Sequence, residues 1–168
     1  LGGTDNSAAE IPKRAPNRFV HLHAHSEFSL AEGLLKVKGA VSEAVARQIP
    51  AMALTDRNNL FALVKFYENS LSKGLKPILG AELWITPEKE GPAARIVALA
   101  QNTQGYKNLL SLISNSYTDA DRRGEVSEQQ LFSREQGLII LSGGVGGHLW
   151  HSVSNGDEQT SLATLQRW

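Results

Sequence analysis

The sequence has no cysteine and a single methionine. Without thiols there is no disulfide framework and no thiolate metal site, so any bound metal must be held by nitrogen and oxygen donors. Net charge is also missing, because 17 Lys and Arg balance 17 Asp and Glu. That balance leaves no basic footprint for nucleic acid or an anionic membrane in this chain, although a neighbouring domain remains free to hold DNA. No apolar run approaches the ~20 residues of a membrane span, and no segment has the charged, apolar, small-residue order of a signal peptide. The chain is therefore read as cytoplasmic, with no membrane partner. Its 41% hydrophobic and 20% charged residues are ordinary for a globular protein, and 168 residues suit one sizeable domain better than two.

What the chain does have is a histidine cluster. Three of its five histidines fall in Val20-His21-Leu22-His23-Ala24-His25. On a strand, alternate side chains share a face, so the three imidazoles would point one way and Val20, Leu22 and Ala24 the other. Imidazole nitrogens suit zinc, manganese or iron; the plainer reading is a solvated strand face.

Residues 1–17 are polar and punctuated by Pro12 and Pro16, the pattern of a flexible leader. From there the chain alternates. A strand is expected over Phe19–Ala24 and a helix over Val37–Gln48, closed by Pro50. A buried strand follows at Ala51–Thr55, then a helix capped by Asn59, with Leu60, Val64, Tyr67 and Leu71 on its stripe and Gly74 as its stop. Further strands are expected over Lys76–Ile85, Ala94–Ala100 and Gly137–Ser142, with a helix over Tyr106–Ser114. This alternation predicts βαβ units around a parallel sheet. The chain opens on Leu1 and stops at Trp168 inside an apparent helix, which reads as a portion of a longer protein. Gly143–Gly147 lacks both phosphate-loop and dinucleotide spacing and reads as a tight turn. His148 and His151 are assigned surface or packing roles, and Asp56 a hydrogen-bonding turn role.

In a parallel α/β domain, chemistry collects at the carboxyl ends of the strands. Those ends carry His23 and His25 with the downstream Glu32-Gly33, then Thr55-Asp56-Arg57, then Gly80-Ala81-Glu82. In this order the blocks resemble the PHP (polymerase and histidinol phosphatase) family. Ser26-Glu27-Phe28-Ser29-Leu30, Val64-Lys65-Phe66-Tyr67, Gly74 to Gly80 and Gly105-Tyr106-Lys107-Asn108 are similar to the branch that opens bacterial DNA polymerase III alpha subunits. The resemblance runs from about residue 18 to 145.

That resemblance implies a distorted, TIM-like β/α barrel, incomplete over residues 18–168, with metals at its strand ends and phosphoester hydrolysis in its active members. It implies His23, His25, Glu32 and Glu82 as residual metal ligands. Three other ligand positions are replaced, by Arg57, Arg95 and Gly144. Arginine has no lone pair to give a metal, so two of these positions have become fixed cations that would neutralise Glu32 and Glu82. The expectation is a decayed site without a resident metal, or with a residual Zn or Mn. The parent polymerase would carry Mg in later domains and contact DNA there. The expected partners are the remainder of the alpha subunit and the proofreading exonuclease subunit. The alternatives are a PHP phosphoesterase or 3′–5′ exonuclease, and a scaffold domain of an error-prone polymerase. A portion of a barrel would expose strand edges, so the chain alone is expected to be marginal or self-associating.

Overall fold

The computed structural model describes residues 19–87, 93–118 and 124–168. The leader expected over residues 1–17 lies outside them. The chain divides into two compact units, one reaching to Asp56 and including Phe61–Leu79, the other comprising Arg57–Leu60 and Gly80–Trp168.

In the first unit, α1 (Val37–Ala46) buries Val37, Val41 and Ala44 along one stripe. It ends two residues earlier than expected, where Gln48 takes a positive φ and the Ile49 amide returns to the Ala44 carbonyl. The proline at 50 disfavours helical backbone at 49 and so forces this stop. β1 (Ala51–Leu54) is buried on both faces and pairs in parallel with residues 76–79 of β2 (Lys76–Thr86). α2 (Leu63–Ser72) starts later than expected. Asn59 does not cap it; its side chain donates to the Arg57 carbonyl. The buried stripe is Leu63, Phe66 and Ser70, whereas Val64 and Tyr67 are exposed. A serine at a core position breaks the apolar periodicity and displaces the apparent stripe by one residue. Phe66 joins Val41, Leu54 and Leu75 in this unit's core.

The strand expected over Phe19–Ala24 is not a ladder. Only His21 bridges Met52, with further bonds from the Ala53 and Thr55 amides to the His21 and Ala24 carbonyls. The Ala24 and Ser26 amides are taken instead by the side chains of Thr55 and Asp56. Local acceptors of this kind compete with regular strand pairing.

In the second unit, residues 80–85 of β2 pair antiparallel with β3 (Ala94–Ala100), and β3 pairs antiparallel with β5 (Leu138–Leu141). A short β4 (Glu125–Ser127) adds to β2 in parallel. The all-parallel sheet expected from the sequence is therefore mixed. β2 ends at Thr86 and β3 begins at Ala94, too short a connection for a parallel crossover, so these two neighbours run antiparallel. The hydrogen-bonded strand order is β1-β2-β3-β5 with β4 beside β2; among the described residues the sheet does not close into a barrel.

Ala81, Leu83 and Ile85 of β2 face Ile96 and Ala98 of β3 and the inward side of α3 (Thr103–Thr118), where Leu109 and Leu112 are fully buried. A capping box at Ser127 and Gln130 starts α4 (Glu128–Phe132). α5 (His148–Ser154) and α6 (Glu158–Arg167) follow the glycine-rich turn, and the side chains of His148 and His151 lie outside what is described. Arg167 of α6 pairs with the buried Glu128 at 3.0 Å, while Trp168 meets Phe132 edge-on. Among the described residues no helix is long and apolar enough to cross a membrane.

Candidate functional site

The histidine segment is set by the turn that follows β1. Thr55 Oγ1 accepts the Ala24 amide at 2.9 Å and donates to the Ala24 carbonyl at 3.2 Å. Asp56 is buried and accepts three bonds: the Ser26 amide (2.6 Å), the Ser26 hydroxyl (2.7 Å) and the Ser29 hydroxyl (2.6 Å). Asp56 is thus the hydrogen-bonding turn residue, and its serine partners were not anticipated. Their signal is the Ser-x-x-Ser spacing directly after His25.

Along this held segment His23 and His25 converge, their Nε2 atoms 3.2 Å apart and their rings edge to face. Two neutral imidazoles can share only one proton across such a contact, whereas a cation can be held by both lone pairs. Both rings line an open cleft of about 540 Å³, together with Glu32 and Gly33. A Cβ at Gly33 would fall 1.8 Å from the Ser26 carbonyl oxygen, so only glycine lets the loop close on the histidine segment. Leu30, within the short 3-10 helix Glu27–Glu32, has a positive φ and stands exposed. His21 is also exposed; its ring packs edge-on against Phe19. Of the four expected ligands, His23, His25 and Glu32 thus line one cleft in the first unit, and the two imidazoles meet there.

Glu82 belongs to the second unit, with all three replaced positions. Residues alternate across a strand, so Glu82 and Trp84 occupy the face of β2 opposite its apolar core. Trp84 pairs directly with Arg95 of β3, which puts that arginine on the same face as Glu82. The Glu82 side chain is 2% exposed, and the Arg95 guanidinium lies 4.0 Å from its Oε2. Arg57 pairs by backbone with Glu82 and carries its guanidinium 4.8 Å from the Trp84 ring centre, with Arg95 at 5.9 Å from the same ring. Asn58, in left-handed backbone, supports this corner by donating to the Gly124 carbonyl and accepting the Trp84 amide.

The glycine-rich turn is a tight turn, and it closes on Arg95. The Val145 carbonyl accepts from Arg95 Nη2 at 2.9 Å, and the Gly146 carbonyl accepts the Arg95 amide at 3.1 Å. A Cβ on Gly143, whose φ is positive, would meet the Arg95 carbonyl oxygen at 1.9 Å. The Val145 carbonyl thus faces the guanidinium, the reverse of a phosphate cradle, which presents amides. Gly144, exposed on the same turn, offers no ligand atom at all.

A family model, that of the PHP domain, matches residues 21–168. The chain belongs to the PHP family. Curated relatives that it matches include DNA polymerase III alpha subunits. The Pseudomonas aeruginosa subunit is 40% identical over 89% of this chain. The Vibrio cholerae subunit is 41% identical over 84%, and the Escherichia coli subunit 39% identical over 83%. This PHP chain spans only 12–13% of the length of these relatives. A solved structure of an amidohydrolase from Chromobacterium violaceum aligns with a TM-score of 0.47 and 21% identity, over 59% of this chain and 33% of its own. The PHP domain is thus homologous to a segment of DNA polymerase III alpha, and it retains histidine and glutamate donors of the kind that hold a metal.

Proposed function

We propose that this PHP domain is the N-terminal part, from about residue 18 onward, of a cytoplasmic DNA polymerase III alpha subunit, and that its own metal centre has decayed into a structural one. The parent protein would add deoxynucleotides to a primer 3′ end, using Mg²⁺ and DNA contacts in later domains. The domain would stabilise that protein and dock the proofreading exonuclease subunit.

The observation that carries this reading is the Glu82–Arg95 pair. A glutamate expected to hold metal lies buried beside a guanidinium, and a glycine turn is fitted to that arginine through the Val145 carbonyl. Arginine supplies a permanent positive charge but no lone pair. Paired-metal phosphoester chemistry needs a second ion to clamp the leaving oxygen. Arg57, Arg95 and Gly144 cannot hold one, so a multi-metal centre does not fit these residues.

One metal does fit the histidine pair, and this is the second reading. A tetrahedral zinc with Zn–N bonds of 2.0–2.1 Å requires its nitrogens about 3.3 Å apart. The Nε2 atoms of His23 and His25 stand at 3.2 Å, and Glu32 lines the same cleft. Such an ion would polarise a bound water; these residues would hold and orient it.

The test is metal analysis by mass spectrometry of the full-length protein purified without chelator, with primer-extension and phosphoesterase assays run in parallel. Primer extension without phosphoester hydrolysis is expected. Near-stoichiometric metal with hydrolysis that disappears in His23→Ala would overturn the decayed-site reading. Metal without hydrolysis would support the second reading.

A further inference from the structure

We propose that Thr55 and Asp56 are positioning residues that hold the His23 and His25 imidazoles in convergence. The inference deepens the second reading above, and its metal arm rests on that reading. Three consecutive peptide groups separate the α-carbons of His23 and Ser26, and residue 55 or 56 bonds to each of them. The 23–24 group is held through the Ala24 amide on Thr55 Oγ1. The 24–25 group is held through the Ala24 carbonyl, which receives both the amide and the hydroxyl of Thr55. The 25–26 group is held through the Ser26 amide on Asp56 Oδ1. The two planes flanking His25 fix its φ and ψ, and the first plane restrains the backbone on the C-terminal side of His23. With His25 set in this way, few torsions remain to bring the two rings together.

Regular strand pairing would not achieve this. A ladder holds alternate residues and would leave part of this segment unbonded on its exposed side. Here Asp56 lies buried within the fold, at 2% exposure, and presents both carboxylate oxygens to the segment. The second oxygen takes the Ser26 hydroxyl, which also accepts the Phe28 amide, so the same carboxylate starts the 3-10 helix leading to Glu32. One buried acid therefore orders both the histidine pair and the start of the turn that leads to Glu32. Outer partners that orient metal-binding residues change metal affinity by about 10- to 100-fold when removed.

The probe is Co²⁺ alone, added to the full chain and followed by its visible absorption. Imidazole ¹⁵N shifts of His23 and His25 are recorded at one fixed pH without metal. Asp56→Ala is expected to weaken Co²⁺ binding by at least tenfold and to return both imidazoles to the shifts of isolated rings. Asp56→Asn should retain both properties, because its amide oxygen still accepts the Ser26 amide while its NH₂ can donate to the Ser26 hydroxyl. Thr55→Val is the second variant: it keeps shape and the Thr55 amide bond but loses the hydroxyl, and it stands in if Asp56→Ala fails to fold by circular dichroism. If the parent chain binds no Co²⁺, the metal reading fails and the imidazole shifts alone decide this proposal. Folded Asp56→Ala or Thr55→Val with unchanged ¹⁵N shifts would overturn it, as would unchanged Co²⁺ affinity in a chain that binds the ion.

Discussion

Arg95→Ala should destabilise the domain by about 2–3 kcal/mol, far more than loss of the shorter ion pair Arg47–Glu43. Distance alone ranks them the other way, at 4.0 Å against 2.6 Å. Burial inverts the order. At an effective dielectric of about 20, unit charges 4 Å apart interact by about 4 kcal/mol. The Arg95 side chain is 34% exposed, and solvent screening there roughly halves the figure to ~2 kcal/mol. Loss of the bond to the Val145 carbonyl adds about 1 kcal/mol. Both side chains of the Arg47–Glu43 pair are more than 60% exposed; Arg47→Ala is therefore expected within ~0.5 kcal/mol of the parent. Urea unfolding of both variants, with the slope checked for two-state behaviour, measures the contrast. The double variant Arg95→Met with Glu82→Gln should lose less than Arg95→Ala, because no buried charge is left behind. If Arg95→Ala is no worse than Arg47→Ala, Arg95 does not neutralise Glu82 and the structural reading of the centre fails.

The Ser70 hydroxyl is buried in α2 without a hydrogen-bond partner; Ser70→Ala should be neutral or stabilising by up to ~1 kcal/mol in the same assay, and a clear loss would show that the hydroxyl is satisfied in solution. Arg167→Ala removes an ion-pair partner of Glu128, whose side chain is 6% exposed; with Arg167 itself 39% exposed, a loss of roughly 1 kcal/mol is expected, and a melting temperature equal to the parent's would refute it. Asp157 caps α6, and its bonds from the Thr160 side chain and amide hold the carboxyl below its usual 3.8. A depressed carboxyl contributes stability that is present above 3.8 and lost as pH falls through the lower folded value. Far-UV circular dichroism should therefore show α6 helicity falling only below pH 3.8, and this acid step should be absent in Asp157→Asn.

Local pattern carried the sequence reading some way. β2, β3 and α3 were legible because their buried residues are apolar and regularly spaced, as with Leu109, Leu112 and Ile113. The Phe19–Ala24 segment misled because the Ala24 amide, and the Ser26 amide just beyond it, bond to the side chains of Thr55 and Asp56, more than 25 residues away. In α2 the buried Ser70 masked the true stripe. The sheet's mixed direction depends on which strands meet, and no periodicity encodes that. The same limit applies to the chemistry. The His23–His25 pair was legible from alternate spacing within one segment. The placement of Arg95 opposite Trp84 and near Glu82 depends on the β2–β3 register, and the carbonyls that hold Arg95 come from a turn 50 residues later.

The two units treat their polar groups in opposite ways. In the first, side chains hold backbone: Thr55 and Asp56 fix the peptides around His25, and the Nε2 atoms of His23 and His25 face one another. That arrangement accommodates either one shared proton or a cation held by both nitrogens. In the second, backbone holds a side chain. The Val145 carbonyl fixes Arg95, whose charge already faces Glu82, so the positive charge is part of the protein itself. A guanidinium in that position needs no free cation and activates no water, because it has neither an open coordination position nor a lone pair to exchange. Hydrolysis by paired metals needs ligands for two ions, and Arg57, Arg95 and Gly144 supply no side-chain ligand. Taken unit by unit, the first suits at most one ion at its histidines and the second holds a glutamate already faced by a fixed cation, which supports the structural role proposed for this centre.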